Sequence, residues 1–263
     1  MLTCIQICML SIGTTCVKKA DQFNQGAGMS EGRVEALYAQ LKEMAVNFRI
    51  RPGERLNEVM LARELNASRT PLREALNRLV AEQLIDFQPG KGFFCRELDA
   101  RSIYELYEIR AVLEEAAVRF LCERATDADI SALFQNEYQD GLLYVGRTIR
   151  EASAADEAFH LAIARLSGNR ELFRQLALIN ERIRFIRWVD MAAAVTRTKG
   201  EHSRIMDAIL RRDAQAAVPL MRGHIVKRMD QIVGSVREGY SNIYVAGPEE
   251  LFERRLLNEE SIK

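Results

Sequence analysis

The chain holds three histidines, His160, His202 and His224. Each falls on or beside a helix-periodic apolar stripe. Asp156 precedes His160 by four residues, one helical turn, so both side chains can face one point, and Ile163 shares their face. His202 lies on a stripe with Ile205, Met206 and Ile209, and His224 borders Met221 and Ile225. A single inward histidine is most often a core residue. Three of them, one with a carboxylate a turn away, leave two readings standing: ordinary core imidazoles, or an Asp-His-His-His ion site. Such a donor set suits Zn, Ni, Cu or Fe. Arg110 sits among Ile103, Leu106, Leu113 and Ala117 on another stripe. A buried guanidinium needs an anion, supplied by a protein carboxylate or by an anionic ligand, unless it snorkels from a partly exposed face.

A second set of residues has the chemistry of DNA recognition. Ser68, Arg69, Thr70 and Arg73 cluster at the start of one predicted helix, with Arg78 further along it. Arginine pairs bidentately with guanine, and small hydroxyls reach phosphates. Gly90-Lys91-Gly92 forms a turn whose glycines permit close approach to a backbone. Lys and Arg exceed Asp and Glu by only three over residues 33–96, so the basic character is local.

These residues need elements to hold them. The apolar spacing of Val34, Leu37, Leu41, Met44, Ala45 and Phe48 predicts a helix over 33–48, stopped by Arg51-Pro52-Gly53. A short helix fits Glu58–Leu65, with Val59, Leu61, Ala62 and Leu65 as its apolar residues. A third begins near Thr70-Pro71, where the hydroxyl can cap, and runs to about Gln83. Leu84–Gln88 and Phe93–Arg96 alternate as two strands of a hairpin. Helix, helix, turn, helix and hairpin is the layout of a winged helix-turn-helix, whose last helix enters the major groove. From Asp99 onward the pattern is helical, with breaks near 124–126, Gly141, 167–169, 196–200 and 212–213.

Composition agrees with this mainly α fold class. In 263 residues, 48% are hydrophobic and 28% charged, while aromatics reach only 7% and Gly plus Pro number 15 and 5. Sparse turn residues argue against a β-sandwich. Lys+Arg and Asp+Glu balance at 37 each, which excludes a wholly basic nucleic-acid coat. No apolar run reaches the roughly 18 residues of a membrane span, so no membrane association is expected. The five cysteines lack zinc-finger spacing, and an odd count fits a reducing cytoplasm. Residues 1–28 are expected to be a disordered extension or a misassigned start ahead of Met29, and 238–263 a loosely structured tail. That leaves 29–97 as the winged helix-turn-helix and 98–237 as an all-α bundle of about six to seven helices.

The run Ser68-Arg69-Thr70-Pro71-Leu72-Arg73-Glu74-Ala75-Leu76, with Pro52–Glu58 before it and Gly90-Lys91-Gly92-Phe93 after it, resembles the N-terminal domain of GntR-type bacterial transcription regulators. The resemblance covers residues 31–97. It implies DNA contacts from the residues aligned with Arg69, Thr70, Arg73 and Gly90, to which Ser68 and Lys91 are added as neighbours on the same surface. One departure stands out: many relatives carry a basic residue where this chain has Val59 or Met60. Further along, Tyr104–Arg110 with Leu113-Glu114, Asp156–His160, Gly168-Asn169, Glu201–Ile205 and Met221–His224 look like the FCD domain of FadR-like members. That likeness implies a divalent metal on Asp156, His160, His202 and His224, a small carboxylate effector completing its coordination, and Arg110 binding the effector. Glu201 reads as a helix-surface glutamate or a support behind the ligands.

The expectation is therefore a cytoplasmic, dimeric transcription regulator, by family default a repressor. It would bind a double-stranded operator and sense a small organic acid through a metal, Zn first, with Ni or Mn as alternatives. The rival is a metal-dependent hydrolase or lyase, but no general acid or base accompanies the histidines, and the winged helix would go unexplained. A regulator with a purely structural metal, or with the metal as its signal, is another alternative. A fatty-acyl ligand is disfavoured by the intact ligand set.

Overall fold

The computed structural model describes residues 32–135, 147–227, 229–247 and 253, leaving aside the side chains of 192–199 and 246. The extension 1–28 and the expected break at Gly141 lie outside the described residues. Two compact units emerge: one takes the chain up to Met44 together with Arg55–Phe94, and the other takes Ala45–Glu54 and everything from Cys95 on.

In the first unit, a helix over residues 32–46 (α1) is followed by α2 (Glu58–Glu64), α3 (Arg69–Ala81), β1 (Ile85–Gln88) and β2 (Gly92–Cys95). The strands pair as a two-stranded sheet, extended by an antiparallel bridge between Arg55 and Phe94. Asn57 caps α2 by accepting from the amides of Val59 and Met60 at 3.1 Å each. Leu72, Ala75, Leu76 and Leu79 bury one face of α3 completely. The opposite face is left to solvent.

Two expectations for this unit are corrected. Thr70 does not cap α3; the N-cap is Ser68, and its side chain makes no capping hydrogen bond. Pro71 occupies the third helical position, so the amide that a capping oxygen most often accepts from is missing. Val59 was grouped with the apolar residues of the short helix, yet Val59 and Met60 are 54% and 57% exposed.

The second unit is all helix: α4 (Ala100–Arg124), α5 (Asp127–Leu133), α6 (Ile149–Leu166), α7 (Arg170–Leu210), α8 (Ala214–Ile225) and α9 (Met229–Ser241), then a π-helical turn over Asn242–Ala246. The helix starts carry polar caps that the sequence supplies locally. Asp99 and Asn169 accept from the amides of Ser102 and Leu172. Thr126 with Asp129 and Thr148 with Glu151 form reciprocal capping boxes. Helix α4 lies against α6, α7, α8 and α9, and α7 against α6, α8 and α9. Their shared core includes Val118, Leu121, Phe159, Ile183, Ile205, Ile209 and Met221.

Here too the structure departs from expectation. Helix α1 ends at residue 46 rather than 48. Phe48 has φ 51, outside the helix, and buries its ring edge-on against Phe185 at 5.1 Å. No break occurs at 196–200, because α7 runs unbroken from Arg170 to Leu210 with Gly200 inside it. The tail expected from 238 begins later: α9 runs to Ser241 and Ile243 is buried. Gly239, inside that stretch, is a packing position. A Cβ there would meet Leu98 and Phe185 at 3.1 Å.

Candidate metal centre and nucleic-acid interface

Three helices deliver the histidines: α6 carries Asp156 and His160, α7 His202, and α8 His224. Their ligand atoms all lie within 4.8 Å of one another, so the four residues predicted to converge do so. His224 Nε2 is 3.0 Å from His202 Nε2 and 3.2 Å from His160 Nε2. Asp156 Oδ1 lies 3.4 Å from His202 Nε2 and has no hydrogen-bond partner although it is buried. Phe159 stacks on the His202 ring at 4.2 Å and closes one side of the group.

Three of the four candidate ligands are held from behind. Glu114 on α4, 1% exposed, takes the Nδ1 of His160 on its Oε2 and the Nε–H of Arg110 on its Oε1 at 2.8 Å. Glu201 Oε2 lies 2.8 Å from His224 Nδ1, which makes it a partner of His224 rather than a glutamate given over to solvent. Asp156 Oδ2 accepts from Arg187 Nη2 at 2.5 Å, and Arg187 Nη1 reaches Glu157 at 3.3 Å. Burial raises the Asp156 carboxyl, but Arg187 and the neighbouring imidazoles together outweigh it and hold the group well below the ordinary carboxylate range. Burial pushes His202 down to about 4 and His160 well below 6.5, so both rings are neutral at physiological pH. Neutral imidazoles and an ionised carboxylate are the forms that ligate a metal.

The donors present fit a divalent ion. Three imidazole nitrogens and one orphaned carboxylate oxygen converge in a buried site, a set suited to Zn and its neighbours. A cavity of about 60 Å³ opens beside them, lined by Tyr107, Arg110, Asp156, Arg187, Glu201 and His224 among others. That is far smaller than the roughly 300–1,000 Å³ of drug-sized sites. Arg110, 4% exposed, resolves its two expected partners unevenly. Its Nε is committed to Glu114, while its Nη2 is buried without a partner.

Glu114 and Arg187 were missed as site residues. Glu114 had a signal, standing four residues after Arg110 and therefore on its face. Arg187 stood inside the apolar run Phe185-Ile186-Arg187-Trp188-Val189. It also carries a geometric message. Arg187 and His202 lie fifteen residues apart on α7, about 22 Å in a straight helix, yet both reach the carboxylate of Asp156. Two side chains cannot span that, so α7 is bent between them.

In the first unit, Ser68, Arg69, Thr70 and Arg73 are all exposed on the starting turns of α3. Arg69 has no ion-pair partner among the described residues. Arg73 pairs with Glu58 at 3.2 Å and lies 5.5 Å over the Phe93 ring. Arg78 turns away, pairing with Glu35 at 2.8 Å and stacking 3.8 Å over Tyr38. Its role is to join α3 to α1. A groove lined by Arg55, Asn57, Glu58, Val59, Arg69 and Arg73 runs between α2 and α3. At the hairpin tip Gly90 is exposed with φ 76, a backbone that favours glycine, and Lys91 beside it is exposed.

Comparison with known proteins places both units. Residues 33–95 match the gntR family of bacterial regulatory proteins, and residues 105–227 match the FCD domain. The Nta operon transcriptional regulator of Aminobacter aminovorans is 41% identical over 76% of this chain and 95% of its own length. An uncharacterized HTH-type transcriptional regulator, YdhC, of Bacillus subtilis is 30% identical over 78% and 93%. The solved structure of E. coli McbR/YncC shares the fold, with a TM-score of 0.59 at 23% identity, covering 79% of this chain and 98% of that one.

Proposed function

The chain belongs to the gntR family of bacterial regulatory proteins and carries an FCD domain, and on that premise we propose that this DNA-binding transcriptional regulator senses a small organic acid through a divalent metal. Asp156, His160, His202 and His224 hold the ion, and Ser68, Arg69, Thr70, Arg73, Gly90 and Lys91 meet the operator. The relatives are transcriptional regulators, and the chain is not an enzyme.

One observation carries the sensor reading: three imidazole nitrogens and the orphaned Asp156 Oδ1 face a common point. When bound, the ion supplies a Lewis-acidic centre for a carboxylate. Arg110 orients that carboxylate through the buried Nη2 left without a partner. The small cavity supports a compact acid over a long acyl chain. The regulator acts as a homodimer, because a palindromic operator presents two half-sites to two recognition helices. Repression and a cytoplasmic location follow the family resemblance, and among the described residues no helix is long and apolar enough to cross a membrane.

Elemental analysis tests the metal. Wild-type protein is expected to retain about one divalent ion per chain, and a His202→Ala/His224→Ala double variant none. Calorimetry with small organic acids then tests the effector. Protein that stays metal-free after exposure to Zn, Ni and Mn, yet binds an acid normally, overturns the proposal. Zn binding with no acid response, and no change in DNA affinity on metal removal, leaves the structural-metal reading instead.

A further inference from the structure

We propose that Glu114, which lies outside the ligand set, fixes the tautomer of His160 and links the ion site to Arg110. The inference rests on reading Asp156, His160, His202 and His224 as that site. A neutral imidazole carries one proton, on Nδ1 or on Nε2. Glu114 Oε2 lies within hydrogen-bond reach of His160 Nδ1 and its other oxygen is paired with Arg110; an ionised carboxylate only accepts, which puts the proton on Nδ1 and leaves Nε2 its lone pair. Glu201 does the same for His224. The two Nε2 atoms prepared in this way are 3.2 Å apart. Neither has a hydrogen to give the other. A cation between them turns that repulsion into attraction, which is why carboxylates behind ligating histidines tune metal affinity.

The two carboxylates are unequal. Glu114 is 1% exposed and its charge is matched by Arg110, 4% exposed. Glu201 has a side chain 23% exposed and is screened by water. The buried hydrogen bond polarises its ring more strongly, so Glu114 carries the larger share. It also has a second task. Arg110 gives its Nε–H to Glu114, keeps a buried Nη2 without a partner, and lines the cavity. An anion held on Nη2 and an ion held on His160 Nε2 are then the two ends of one hydrogen-bonded chain, with Glu114 in its middle.

Glu114→Gln separates the tasks. The amide offers one oxygen, which Arg110 demands, so its NH₂ turns to His160 Nδ1 and forces the proton onto Nε2. Long-range ¹H–¹⁵N spectra of histidine-labelled, metal-free protein at pH 8 read the tautomers directly. In wild type, His160 and His224 are expected as Nδ1–H. In Glu114→Gln, His160 is expected as Nε2–H with His224 unchanged. Zn affinity, measured against a chromophoric chelator, is expected to fall about 10–100-fold, and less in Glu201→Gln. If wild type binds no Zn, the ion-site reading itself fails. If wild type binds Zn and a folded Glu114→Gln binds it equally, with His160 still Nδ1–H, the role of Glu114 is overturned. Should the variant not fold, the wild-type spectrum decides: His160 found as Nε2–H overturns the proposal, and Nδ1–H supports it.

Discussion

Arg69 and Arg73 start the same helix with different freedom. Arg73 is already oriented by Glu58 and Phe93, whereas Arg69 is committed to nothing among the described residues. Arg69→Ala is therefore expected to cost about 1–3 kcal/mol of operator affinity and to relax one base preference. Arg78→Ala, which breaks the Glu35 and Tyr38 contacts, should lower stability while leaving base preference intact. Binding to operator and random DNA at one fixed salt concentration separates the two. At the sensor, His202 titrates near 4 in the folded protein against 6.5 ordinarily, because burial disfavours its charged form. Between those values the unfolded chain binds the extra proton, so the unfolded state gains as pH falls. Metal-free protein should keep the full stability above pH 6.5 and lose on the order of 3 kcal/mol of it from His202 alone by pH 4. Denaturation midpoints at several pH values check this. The convergence of Asp156, His160, His202 and His224 was legible because periodicity says which face a residue takes and the FCD resemblance names the four together. Arg187 was not, because its partner Asp156 lies thirty-one residues earlier, on another helix, and no spacing rule reaches across such a contact.

Helices were read well where local chemistry decides them and less well where packing does. The breaks at 124–126, 167–169 and 212–213 coincide with capped starts at Thr126, Asn169 and Asp213. The break expected near Gly200 rested on propensity, and an interior glycine costs only about 1 kcal/mol against alanine. The packing of α7 against its neighbours absorbs that, and the helix runs on. Phe48 misled in the opposite sense: its apolar side chain fitted the α1 stripe but is used in the turn that meets Phe185. Gly239 gives a measurable case. Alanine would gain helix propensity, but its Cβ would press on Phe185, a ring 1% exposed and held between Phe48 and Trp188. Overpacking costs about 1–3 kcal/mol, which exceeds the gain. Gly239→Ala is expected to lower Tm by a few degrees in calorimetry, with metal content unchanged.

At the scale of the whole molecule, the proposed dimer needs an apolar surface, and α4 offers Ile109 and Val112 at 54% and 59% exposed. Sedimentation at micromolar concentration should show a dimer; a monomer binding the operator with full affinity would remove the palindrome argument. The acid and the operator must also be reciprocal, since an acid that weakens DNA binding is itself weakened by DNA. The last consequence belongs to the bend in α7. Asp156 meets this helix at two points fifteen residues apart, bonded to Arg187 and 3.4 Å from His202. The helix is a bow whose string, one carboxylate, is tied at the Arg187 end and open at the His202 end. An ion that draws His202 and Asp156 together tightens the string at one end while Arg187 holds the other. On the proposed reading, occupancy of a site a few ångströms wide would thereby be written into the curvature of a 41-residue rod, a shape far easier for the rest of a protein to feel than the ion itself.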